Sequence, residues 1–307
     1  SEAKLLVGVA DGKGVPMRRG ESRPRKLRLG TGEKPNKKKE AVVTAVYTVE
    51  PYVRTADDVV REIADDGSVV EPEAPRVKRP RPKNKQTRAT LQGKDAAFKE
   101  LRRQFDLRDP DGTKQWIALT DGAEALQNRV VKYLGVDRVI VLILDLMHVL
   151  DYLWDASYAF HDKGSADAAR WTMDKLRLLC EGNVGDVIDD LRRALSAGGV
   201  KKTKRKAVKK AVRYMDRNRA YMAYDVYLAN GYPIGSGVAE GACRHLVKDR
   251  MECTGMRWNK PGAQAVLELR AVEINDDWKA YWEYRTAQQH ARLYGGPAAT
   301  EARKLVA

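Results

Sequence analysis

Apolar and polar positions follow two regimes along this chain. In the first half, short apolar runs stop at polar punctuation. Residues 4–10 (KLLVGVA) stop at Asp11-Gly12, which predicts a strand followed by a turn. Residues 41–49 (AVVTAVYTV) are rich in β-branched side chains and predict a second strand. Residues 116–120 (WIALT) predict a short strand ending at Asp121-Gly122. Residues 139–144 (VIVLIL) predict a central strand, buried on both faces and ending at Asp145. Helical spacing covers residues 95–105 and 123–134. Strand, helix, strand over 116–144 predicts a parallel βαβ unit.

Past Asp145 the period changes and no strand pattern remains. Helices are predicted over residues 147–160, 166–180, 187–195 and 203–228. In the last, Val208, Ala211, Val212 and Met215 recur at i, i+3, i+4 and i+7. Gly231, Tyr232 and Pro233 break the pattern, and Ser236 suits the N-cap of a helix that carries Glu240 and runs to Met251. Two more helices are predicted near 262–272 and 276–287. This order suits an α/β fold: a ribonuclease-H-like mixed sheet with an all-helical insertion and C-terminal helices. The expected organisation is a core over 1–154 with basic loops at 18–39 and 71–88, an insertion over 155–232, and completion of the core over 233–307.

Charge adds a partner to this picture. The 307 residues carry a formal charge of +15, and 43% are hydrophobic, enough for a sizeable core. The positive charge is concentrated. Windows 18–39, 76–88 and 201–219 hold 27 Lys and Arg against three acids, so the remainder of the chain is net acidic. Clustered cations are what a phosphate backbone selects, because each neutralised phosphate releases counterions. A basic surface without such a partner is the rival reading. The candidates in the third window are Lys201, Lys202, Lys204, Arg205 and Lys206. Arg244, Lys248 and Arg250 follow on the Glu240 helix, where a merely solvated face is the alternative. Three cysteines without a CxxC pair predict neither a disulfide framework nor a zinc knuckle, only buried or indifferent thiols. No apolar run reaches the ~18 residues of a membrane span. The expected place is the cytoplasm, in association with the nucleoid.

Three predicted strands end in an aspartate: Asp11, Asp121 and Asp145. Carboxylates converging at the carboxyl ends of strands repel one another unless a cation lies between them. Magnesium takes hard oxygen ligands and keeps several waters, so two or three carboxylates suffice. The competing reading of each Asp-Gly pair is a plain turn.

The segments WIALTDGAEALQ, VLILDLMHVLDYLWDAS and GYPIGSGVAEGACRHLVKDRMECTGMRWNKPGAQAVLELRA resemble bacterial insertion-sequence transposases of the Kra group, which are related to Mutator-like elements. The resemblance runs from Val7 to about Tyr294 and is weakest in the basic loops. It implies a DDE transposase: Asp11, Asp121 and Glu240 as catalytic residues and metal ligands, 110 and 119 residues apart. It also implies two Mg2+ ions, replaceable by Mn2+, that serve cleavage and strand transfer. Asp145 and His148 match a supporting Asp-x-x-His motif, and they contact DNA, support the metal site or only orient the chain. The implied partners are double-stranded DNA, as element ends and target, and further copies of the chain on that DNA. A non-catalytic DNA-binding descendant and a nuclease that cuts without joining are the alternatives. The chain opens inside a strand-like run. The expectation is therefore a missing N-terminal reader, and little preference of this piece for terminal repeats over random duplex.

Overall fold

The computed structural model describes residues 2–18, 38–64, 79–197, 200, 204–235, 237–253 and 255–294. Five strands form one mixed sheet in the order β3-β2-β1-β4-β5. They are β1 (Leu5–Pro16), β2 (Lys38–Val49), β3 (Lys83–Thr90), β4 (Gln115–Thr120) and β5 (Ile140–Leu144). The first three pair antiparallel, and β4 and β5 run parallel to β1. The βαβ unit forms as expected, with α3 (Glu124–Leu134) between β4 and β5. It is joined on that face by α2 (Lys94–Arg108). Phe98, Leu101 and Phe105 of α2 pack against Leu6, Ala10, Trp116 and Ala118.

Side chains alternate along each strand, so Val7, Val9, Ile117, Leu119 and Ile143 point to the other face. There α4 (Leu146–Ser157) lays down Val149, Leu150 and Leu153. Behind it stand α1 (Ala56–Ala64), α5 (Ala166–Cys180), α6 (Val184–Ser196), α7 (Arg205–Asn218) and α8 (Tyr224–Ala229). These helices share one apolar core with the sheet. The helical insertion is therefore a layer of the fold, and the expected boundary at residue 154 falls inside α4.

The same face is covered differently at its β2-β3 end. α9 (Gly237–Ala242), a π-helical stretch (Cys243–Lys248), α10 (Asp249–Met251) and α11 (Lys260–Ile274) lie there. Leu246, Val247, Met251 and Leu267 pack on Val15, Val43 and Ala89. α12 (Trp278–Tyr294) follows α11. Past Asp145 the described residues contain helices and no named strand, as the pattern predicts. Among them no helix is long and apolar enough to cross a membrane.

Five expectations need correction. The run 139–144 is not a central strand buried on both faces: β5 is the edge strand beyond β4, with Val139 exposed and Ile140 and Val141 half-buried. Asp11-Gly12 is not a turn: β1 continues to Pro16, with Asp11 opposite Val43 in the β1-β2 ladder. Part of the basic loop 71–88 is the edge strand β3, which exposes Lys83, Lys85 and Arg88 and buries only Thr87 and Ala89. Likewise Lys38 and Lys39, at the end of the loop expected over 18–39, begin β2. The helix expected over 203–228 divides after Asn218, where a short 3-10 turn (Arg219–Tyr221) leads into α8. Residues 19–37, most of the first expected loop, and 71–78, the first part of the second, lie outside the described residues.

Candidate active site

Pairing between β1 and β4 ends at Ala10 opposite Thr120. The next residues on the two strands are Asp11 and Asp121. Parallel neighbours lie about 4.8 Å apart, so the two aspartates are side by side. By alternation both belong to the face of Val9 and Leu119. This is the seam where the α4 layer ends and the α9–α11 layer begins. Asp11 occupies that edge because β4 stops while β1 runs on with β2.

Local hydrogen bonds orient each carboxylate. Asp11 Oδ1 accepts from Gly12 N at 2.6 Å, and Asp121 Oδ1 accepts from Ala123 N at 2.9 Å. Asp11 Oδ2 accepts from the Cys243 thiol at 3.2 Å. Burial, reinforced by the Asp11 carboxylate and more weakly by Asp121, pushes that thiol well above its ordinary range, so it remains a donor. Cys243 stands three residues after Glu240, which is exposed in the first turn of α9. A thiol expected to be buried or indifferent is buried, and it fastens the Glu240 helix to Asp11.

The turn after β4 is gripped from the insertion. Tyr214 Oη donates to the Asp121 carbonyl at 2.8 Å, and Arg217 Nη2 donates to the Gly122 carbonyl at 2.8 Å. Burial, then the neighbouring Tyr152 and the Asp121 and Asp145 carboxylates, raise the Tyr214 hydroxyl and keep it protonated. Gly122 has φ +81°, and a Cβ there would stand 2.9 Å from Leu144 and Tyr214 and 3.0 Å from Asn218. Both the left-handed backbone and the lack of room require glycine. Gly122→Ala is expected to lower the unfolding free energy by about 2 kcal/mol or more in urea titration. A loss below ~0.5 kcal/mol would show that this turn yields freely.

Asp145 is 2% exposed and acts first as a helix cap: its Oδ1 accepts from Met147 N at 2.9 Å. Its amide donates to Thr120 O at 2.9 Å, which holds β5 against the end of β4. His148 is half-buried one turn into α4. Of the expected nucleic-acid contacts, Lys201 and Lys202 lie outside the described residues. Lys204 is half-buried and Lys206 is exposed, while Arg205 donates to the Leu195 carbonyl at 2.8 Å near the end of α6. Arg244 and Lys248 are exposed, with Arg244 3.9 Å from Asp249. Arg250 is half-buried; it lies 5.4 Å over the Trp258 ring and donates to Met256 Sδ at 2.9 Å.

Among the described residues, no three His, Cys, Asp or Glu side chains form a group that could hold a metal ion. The structure brings Asp11 and Asp121 together and leaves Glu240 outside the pair. Two oriented carboxylates are hard oxygen donors and suit a cation that keeps most of its waters, which is the habit of Mg2+. Comparison with known protein families, curated proteins and solved structures finds no match for this chain.

Proposed function

We propose that this chain cuts and joins DNA strands as the catalytic region of a DDE transposase, with Asp11, Asp121 and Glu240 as its acidic set. The observation that carries the reading is the Asp11–Asp121 pair, with the Glu240-bearing helix hydrogen-bonded to it through Cys243. The five-stranded mixed sheet is compatible with the ribonuclease-H-like fold that the Kra-group resemblance implies. Asp11 and Asp121 would hold Mg2+ or Mn2+, with Glu240 supplying a further oxygen. Such an ion activates an attacking oxygen and stabilises a leaving one. The chain's own part is placement. Tyr214 and Arg217 fix the Asp121 turn, and Cys243 holds one Asp11 oxygen in position.

α7 extends the same site into a basic surface. Arg217 touches the Asp121-Gly122 turn, while Lys206, Lys209, Lys210 and Arg213 of the same helix line its outer side, all four exposed. Lys210 lies 4.7 Å over the Tyr152 ring, which stacks on Tyr214. A duplex seated at Asp121 has these cations beside its backbone. Replacing Lys206, Lys209 and Arg213 with Ala should flatten the log–log salt dependence of duplex binding. The expected change is roughly one unit of slope for each phosphate that no longer meets a cation. An unchanged slope means a solvated helix.

The activity test incubates the chain with duplex DNA and a strand bearing a free 3′-hydroxyl, in Mg2+, Mn2+ or Ca2+. Cleavage and joining with the first two and not with Ca2+ supports the proposal. Cleavage without joining identifies a nuclease. Binding with neither identifies a non-catalytic DNA-binding descendant.

A further inference from the structure

A concavity lies on the sheet face that carries the carboxylate pair, toward the other end of the strands, and we propose that it seats one nucleotide of a nucleic-acid strand, with phosphate on arginines and base on tyrosine rings. The cavity holds about 330 Å³, which is within the range of small-molecule sites. It lies between the end of β2, residues 79–82 and the loop that leads into α9. Arg54, Arg79 and Arg81 bring cations to it, and Tyr52 and Tyr232 bring rings. The strand's identity as DNA rests on the proposed function; the seat itself does not depend on catalysis.

The charge balance favours an anion. Glu50, the acid in the lining, is 3.7 Å from Lys83. Glu62 answers Arg54 at 3.2 Å. Arg79 and Arg81 are exposed, and neither makes an ion pair among the described residues. Arg54 is 7% exposed, and its Nε is buried without a hydrogen-bond partner among those residues. Its guanidinium carbon lies 5.5 Å from the Tyr52 ring centroid. Burial lowers the Arg54 pKa, Glu62 partly offsets it, and the like charge of Arg79, which lines the same cavity, lowers it further. Such a pair attracts a group with several acceptor oxygens and more than one negative charge.

Bare phosphate would leave most of the cavity unused. Rings and prolines supply the rest of the wall, and every base has a π-face that stacks on tyrosine. The wall is rigidly set. Tyr52 N donates to the Gly231 carbonyl at 2.9 Å, and Gly231, at φ +69°, has no space for a Cβ, which would lie 2.5 Å from Tyr52 N. The same loop reaches the acidic site, because Leu146 N donates to the Ile234 carbonyl at 2.8 Å beside Asp145. Gly237 and Val238 then open the helix that bears Glu240. The loop that lines the cavity therefore also borders Asp145, since a Cβ on Gly235 would stand 3.8 Å from Asp145 Oδ1.

The test is equilibrium binding of a short fluorescent single-stranded oligodeoxynucleotide to the full chain at roughly physiological salt. Nucleoside monophosphate, inorganic phosphate and an abasic strand of equal length are the comparison ligands. The expected result is that R79A/R81A weakens binding by on the order of tenfold. Loss of the bases should weaken it by a similar factor. Nucleoside monophosphate should compete better than inorganic phosphate. Both arginines lie at the surface, so circular dichroism and the melting temperature of the variant should match wild type. Three results overturn the proposal: equal affinity of R79A/R81A and wild type, equal affinity of abasic and normal strands, or equal competition by inorganic phosphate. DNA cleavage by the wild-type chain is scored separately, so loss of the proposed function and loss of the nucleotide seat are distinct outcomes.

Discussion

Asp121→Asn is expected to reduce metal-dependent strand cleavage by on the order of a thousandfold or more while leaving duplex binding within a few-fold of wild type. The amide keeps the size of the carboxylate, and its oxygen still accepts from Ala123 N, the 2.9 Å bond that shapes the turn. The bonds from Tyr214 and Arg217 go to backbone carbonyls and are untouched by the change. What disappears is one negative charge beside Asp11. A fold defect would lower the melting temperature, whereas loss of a cation ligand lowers activity at constant melting temperature. Asp11→Asn should lose cleavage likewise, but its one amide oxygen replaces only one of the two acceptors that Gly12 N and the Cys243 thiol now use, so a small drop in melting temperature is expected as well. Glu240→Gln is the sharper test, since Glu240 is exposed and outside the pair. Near-normal cleavage by that variant removes Glu240 from the acidic set and leaves a two-carboxylate site.

The sequence pattern located these residues unevenly, for physical reasons. β4 and the βαβ unit were readable because the apolar runs of β4 and β5 stop at the strand ends; that β5 stands at the edge of the sheet was not, because its run is apolar throughout although Ile140 and Val141 are only half-buried. β3 was not readable. As an edge strand it buries Thr87 and Ala89 and exposes lysines, the pattern that discourages edge-to-edge pairing and that also reads as loop. The second half of β1 was hidden by Asp11, Gly12 and Gly14, polar or small residues whose strand character comes from the ladder with β2. α1 went unpredicted, although Thr55-x-x-Asp58 marks its start: Thr55 Oγ1 accepts from Asp58 N at 3.1 Å, and Asp58 Oδ2 accepts from Thr55 N at 2.9 Å. Asp11 and Asp121 stood out as aspartates closing apolar runs and as matches to the family resemblance; the strand order that sets them side by side was not readable from the pattern. The roles of Cys243, Tyr214 and Arg217 depend on how α7 and the π-helical stretch dock. No local pattern encodes that docking.

Asp109→Ala is expected to cost about 3 kcal/mol at neutral pH, the scale of breaking a buried, hydrogen-bonded charge pair. Asp109 is 1% exposed, just past α2. One oxygen accepts from Thr113 N at 2.8 Å and Lys114 N at 3.2 Å. The other accepts from Trp116 Nε1 at 2.8 Å and Arg138 Nη1 at 2.9 Å. Trp116 is itself buried, edge-on to Phe105 with 4.9 Å between ring centroids, and Arg138 lies 4.7 Å over its ring. Asp109 therefore ties the end of α2 to the start of β4, the strand whose far end presents Asp121. Burial alone raises the Asp109 pKa, but the bonds from Trp116, Thr113 and Lys114 outweigh it, and the net shift is downward. The sign for stability follows from that depression. The contribution is complete above the unfolded value of about 3.9 and is lost as pH falls through the lower folded value. Urea unfolding of wild type and Asp109→Ala should show the full difference at pH 7, still most of it near pH 5, and a shrinking gap below about pH 4. A gap as wide at pH 3 as at pH 7 would assign the loss to packing around Trp116. A gap under ~1 kcal/mol at pH 7 would mean that this carboxylate does not anchor the strand.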